Sequence, residues 1–156
     1  MTPMDYLAAL EASFLGQTAR SSSWLFPLSN LTHVLGGALL VGSIAVFDIL
    51  LLRQRYEAAA QAAVSALPIA MTGVALLVIS GPVLLAAEAT ALGRNPAFLV
   101  KMTLISVALF NIAAYYAGAW RQKIENGFPR HARLHAAISL GVWSLVLLSG
   151  RLIAYV

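Results

Sequence analysis

Apolar residues run almost unbroken through residues 24–52, 64–87, 98–120 and 132–156, and polar residues collect in the short segments between these stretches. A hydrocarbon core asks for about 20 consecutive apolar residues in a helix. Each stretch therefore predicts a transmembrane helix. Together they predict an all-α, up-down four-helix bundle, with residues 1–156 forming a single transmembrane domain. The first stretch is longer than a perpendicular crossing requires, so its outer turn around Pro27 is expected to tilt or protrude.

The segments outside the spans carry local signals. Residues 1–19 have neither the basic start nor the apolar run of a signal peptide. Thr2, Pro3 and Asp5 read as a helix N-terminus: an N-cap, a proline at the first helical position and a capping box. Leu7, Leu10 and Phe14 then recur at helical spacing. This predicts a short amphipathic helix on the outer interface or over the bundle mouth. Residues 20–23 form the hinge into the first span. Pro68 fits the start of the second helix, and Gly81-Pro82 should kink it. Residues 89–96 read as a tight outer loop, and residues 125–129, containing Asn126-Gly127, as the inner loop. The pairs Ala38/Gly42, Ala114/Gly118 and Ala137/Gly141 have the spacing that lets helix backbones approach closely in lipid.

Composition agrees with this pattern. Of 156 residues, 60% are hydrophobic and 10% charged, whereas soluble domains carry roughly 25% charged residues. The sequence pI of about 9.9 does not point to nucleic acid, because the basic residues lie in the connections, where they set topology. Arg53, Arg55, Arg121, Lys123, Arg130 and Arg133 fall on one side; Arg20 and Arg94 fall on the other. The richer side is cytoplasmic. Both termini are then expected on the outer face, periplasmic if the membrane is a bacterial inner membrane. The chain has no cysteine, which excludes disulfides, thiolate metal sites and cysteine nucleophiles.

Ionisable residues inside the spans are costly in lipid and mark candidate sites. At 1.5 Å of rise per residue, His33, Glu88, Lys101 and Arg151 come to a similar level in the outer half, while Asp48 lies near the inner end of the first helix. His33 is expected to look over Gly37, which leaves a flat recess suited to a planar ring. On the fourth helix, Ala137, Gly141, Ser144, Leu148, Arg151 and Tyr155 form a stripe expected to face the interior. The functional reading is an outward-facing pocket. In it His33 supplies a lone pair, a proton or a metal ligand, and Lys101 and Arg151 grip an anionic group such as a haem propionate. The plainer readings stay open: Lys101 and Arg151 snorkelling to headgroups, His33 hydrogen-bonded to a neighbouring helix, Glu88 a cap residue, and Asp48 paired with Arg53 or an inner-loop base rather than relaying protons. His131 reads as a loop residue. His135 lies nearer the inner boundary, a depth mismatch that disfavours one haem held by His33 and His135.

Trp24, Pro27, His33, Gly36-Gly37 and Asp48, then Asn95-Pro96 and Lys101, then Ser139, Trp143, Gly150-Arg151 and Ala154-Tyr155 carry a resemblance. On these residues the chain resembles a family of uncharacterised small four-helix bacterial inner-membrane proteins. More distantly, its first-helix histidine and later lysine look like the copper-resistance protein D and transmembrane cytochrome b families. Those relatives imply haem b, quinone or copper. The departures are the lack of four depth-matched histidines and of a His/Met cluster, Met102 being the methionine beside Lys101.

Three functions follow as expectations. One is haem or quinone binding for electron transfer through His33. Another is a non-catalytic accessory subunit of a larger membrane complex. The third is a small ion transporter, copper included, with His33 and Asp48 about 60° apart on one helix as stations. No hydrolase or phosphate-binding motif is present.

Overall fold

The computed structural model describes residues 2–121, 128 and 131–155, with backbone alone at 119–121. The expected inner loop at 125–129, Lys123 and Arg130 lie outside the described residues, apart from Phe128. Among the described residues seven helices follow one another: α1 (Pro3–Glu11), α2 (Phe14–Ser21), α3 (Leu25–Leu52), α4 (Tyr56–Ala87), α5 (Ala89–Arg94), α6 (Pro96–Arg121) and α7 (Ala132–Leu152). Four of them, α3, α4, α6 and α7, are long and apolar enough to cross a membrane. Their outer faces bear exposed Val34, Ile49, Val78, Leu99, Phe110 and Leu148, an apolar surface matched to lipid.

The long helices run up and down, but they do not close a square. Backbones pack closely along α3/α4, α3/α7 and α6/α7; among the described residues α4 and α6 do not. Along the fourth edge the two helices meet through side chains alone. Leu40, Ala70, Ala108, Trp143 and Val146 bring all four helices to one core, and Leu51, Ala59, Ala132 and Ala136 form a second core near the end that carries Arg53 and Arg133, the one expected to be inner.

Glycine sets the tightest crossing. A Cβ on Gly73 would lie 2.6 Å from the Gly36 carbonyl oxygen, and one on Gly36 would lie 2.8 Å from that of Gly73. The spacing pairs behave otherwise: added Cβ atoms on Gly42, Gly118 and Gly141 meet nothing within 4 Å. Close approach follows the face that meets a partner, and spacing alone does not reveal that face.

Several expectations change at the helix ends. The N-terminal segment is two helices, because Ser13 caps α2 by accepting from Gly16 N at 3.3 Å. Phe14 thereby starts the second helix and is exposed. Thr2 and Asp5 do form the capping box, at 3.3 and 2.6 Å. Residues 89–94 are helical where a loop was expected. Pro68 lies inside α4, which starts at Tyr56 because the alanine-rich residues 56–67 are strong helix formers. The proline removes one backbone hydrogen bond, a loss that a long apolar helix in lipid tolerates.

A cap closes the outer end. Arg20 donates to the carbonyls of Ala87 at 3.0 Å and Glu11 at 2.7 Å, and Glu11 accepts from Thr90 N at 2.8 Å and Thr90 Oγ1 at 2.6 Å. Gly16 lets α2 press onto the Ala86 carbonyl, where a Cβ would lie 2.7 Å away.

Candidate functional site

The outer half of the bundle assembles a histidine and a lysine. His33, half-buried on α3, meets α4: its Nδ1 is 3.0 Å from Ser80 Oγ, and its ring lies against Gly81. Ser80 has one hydroxyl proton, and it goes to the Leu76 carbonyl at 2.6 Å. Ser80 Oγ must then accept from His33, so Nδ1 carries the hydrogen. The neutral ring keeps its lone pair on Nε2, which has no hydrogen-bond partner among the described residues. Burial of Ser80 protects this arrangement from water.

Lys101 enters from α6. Its Nζ lies where Gly150 of α7 leaves room, 3.3 Å from the position a Cβ would take. The ammonium is within electrostatic reach of His33. Among the described residues no carboxylate pairs with it; the ion pair they contain is Arg20–Glu11, at 3.7 Å.

The other expected members stand apart. Arg151 is exposed, donates to the Tyr155 hydroxyl at 2.7 Å and lies 5.0 Å from that ring's centroid. The stripe of Ala137, Gly141, Ser144, Leu148, Arg151 and Tyr155 faces outward, and the buried face of α7 is Ala132, Ala136, Ser139, Trp143, Val146 and Ser149. The two faces differ little in polarity, so composition gave no guide to which one turns in. Gly37 faces Leu147 of α7, whose Cδ2 lies 3.8 Å from an added Cβ, while His33 turns to α4. Glu88 is exposed where α4 passes into α5.

A second polar group lies near the inner ends. Asp48 is buried and hydrogen-bonded to Ser139; Arg53, its expected partner, is exposed. Asn111 Nδ2 donates to the His135 carbonyl at 3.0 Å, and His135 Nδ1 lies 2.8 Å from Asn111 Oδ1. Ser80, Asn111 and Ser139 were not read as site residues. Each is a polar side chain within an apolar span, a signal as physical as that of the charged residues.

Among the described residues no three histidine or carboxylate groups gather to hold a metal ion. Two apolar hollows between α3 and α4, one of about 30 Å³ against Ile44 and Phe47 and a groove of about 350 Å³ along Gly42 and Ser65, lie away from His33 and Lys101. No protein-family model, curated protein or solved structure matches the chain.

Proposed function

We propose that this multi-pass membrane protein binds a redox ligand, a quinone head group or haem b, between His33 and Lys101 for electron transfer. The observation that carries the reading is the His33–Ser80–Leu76 chain, which engages Nδ1 and leaves Nε2 of the neutral ring unprotonated. A nitrogen lone pair beside an ammonium without a carboxylate suits a ligand with both a hydroxyl and a carbonyl. The reduced and oxidised forms of a quinone supply those groups in turn. The α4/α6 edge, where backbones do not pack closely, is the side from which such a lipid-soluble molecule would enter. Haem b is supported by the same nitrogen: an anchored Nδ1–H with a free Nε2 is how iron-ligating histidines are oriented. Lys101 would then hold a propionate, and Arg151, turned outward, would not.

The bilayer location and the outward site suit a bacterial inner membrane with both termini periplasmic. Copper transport has less support, since among the described residues no group of three histidine or carboxylate side chains gathers around His33. An accessory-subunit role gives no reason for a half-buried lysine that no carboxylate meets among the described residues.

Titrating the purified protein with a short-chain ubiquinone, read by tryptophan quenching, tests the reading. Affinity should fall at least about tenfold in His33→Ala and in Lys101→Met, and stay unchanged in Arg151→Met. Equal affinity in all four proteins would contradict a quinone site here.

A further inference from the structure

The inner polar cluster involves none of the outer residues and asks for its own explanation. Among the described residues Asp48, 4% exposed, has an Oδ2 without a hydrogen-bond partner, and Trp143, 7% exposed and one turn outward from Ser139 on α7, has an indole N–H that also lacks one. The titratable groups near Asp48 are Tyr115 of α6, within electrostatic reach, and His135 of α7, whose ring meets that of Tyr115 edge-on at 5.8 Å. From α4 the inner core receives Ala59, while Tyr56 and Glu57 are exposed at the start of that helix. Arg53, Arg55, His131 and Arg133 are exposed at the inner boundary, and none forms an ion pair with Asp48. Among the described residues no cation neutralises this carboxylate. In a low-dielectric bundle an uncompensated carboxylate is strongly disfavoured, and a bound proton relieves it.

His135 is prepared to handle that proton. Because Asn111 Nδ2 points to the His135 carbonyl, Asn111 Oδ1 faces the ring and accepts from Nδ1–H. Nε2 of the neutral ring therefore carries the lone pair. The residue is half-buried one turn from exposed His131, so it lies between the inner boundary and Asp48.

We propose that His135 and Asp48 form a proton-exchange site open to the inner aqueous phase, with His135 as the relay and Asp48 as the buried acceptor. A proton from inner water binds the Nε2 lone pair and makes an imidazolium. That ring then releases its Nε2 proton, through intervening water, to Asp48 Oδ2. The products are a carboxylic acid and a neutral imidazole, and no electrons change hands. Tyr115 packs beside the path, in edge-on contact with the His135 ring.

The test uses infrared spectroscopy on the full chain in lipid nanodiscs. The chain has only two aspartates, Asp5 and Asp48, and Asp5 is an exposed capping residue. Carbon-13 labelling of aspartate therefore isolates Asp48 without a mutation. At neutral pH the labelled protein should show a carboxylic-acid C=O band that shifts in deuterium oxide and is lost in Asp48→Asn. Exchange of that band after mixing into deuterium oxide should be at least about tenfold slower in His135→Gln, general acid–base groups typically contributing 100-fold or more. An ionised Asp48 in the labelled native protein, or exchange slowed less than tenfold in His135→Gln, would overturn the proposal. The native-protein arm decides even if Asp48→Asn does not fold. The outer-site quinone titration is unaffected by either result.

Discussion

At the scale of single residues, the account turns on how one hydroxyl proton is placed. Ser80 donates to Leu76, and this obliges His33 to donate to Ser80. Ser80→Ala would remove that anchor while leaving the imidazole in place. Partners of this kind typically set ligand affinity by 10- to 100-fold. Ser80→Ala is thus expected to weaken quinone binding about tenfold, measured by the same fluorescence titration, with its thermal midpoint close to that of the native protein. His33, Lys101 and Asp48 were legible in the sequence because ionisable groups stand out in apolar spans. The direction of Arg151 was not. On α7 the buried face carries Ser139 and Ser149 and the exposed face carries Ser144, so polarity does not tell inside from lipid. The rotational phase is set by packing against α3 and α6.

Glu11 in the outer cap supplies a pH test. Thr90, by side-chain and then backbone hydrogen bonds, holds its carboxyl below the ordinary value near 4.5, with Arg20 adding a smaller pull. A carboxyl lowered in the folded state stabilises it above the unfolded value and loses that contribution as pH falls through the folded one. Docking of α1 and α2 should therefore be intact at neutral pH and loosen below about pH 4.5. Hydrogen exchange over residues 3–21 should report this, and Glu11→Gln should flatten the pH dependence. The same dependence in that variant would assign it to another group.

At the scale of helices, glycine decides how α3 meets α4. Gly73→Ala forces a Cβ to within 2.6 Å of the Gly36 carbonyl, a contact that backbone must relieve. The expected loss is about 1–3 kcal/mol, read from unfolding in mild detergent. Gly42→Ala meets nothing within 4 Å, so it should be neutral or gain up to about 1 kcal/mol from helix propensity. Equal losses at the two positions would mean that the α3/α4 crossing lies elsewhere. The helices themselves were legible from length and hydropathy. The split at Ser13 was less so, because a serine cap competes with apolar spacing that continues to Phe14. The start of α4 was hidden by reading Pro68 as a first-turn residue, although the alanine-rich turns before it favour helix.

At the scale of the molecule, four long helices carry the candidate site at His33 and Lys101 towards one end of the bundle and a separate polar cluster towards the other. The distribution of Lys and Arg predicts the orientation. The absence of native cysteine makes it simple to test with a single introduced thiol. In right-side-out vesicles Ser23→Cys should react with an impermeant maleimide, and Glu57→Cys should react only after the membrane is opened. The reverse pattern would place the His33 site on the cytoplasmic side.

The central claim, a redox ligand held at His33, is tested most directly by what the protein retains on gentle detergent purification from haem-replete cells. We expect a Soret band or a stoichiometric extractable quinone in the native protein, lost in His33→Ala and kept in Arg151→Met. A colourless, quinone-free native protein, or a ligand that survives His33→Ala, would contradict it.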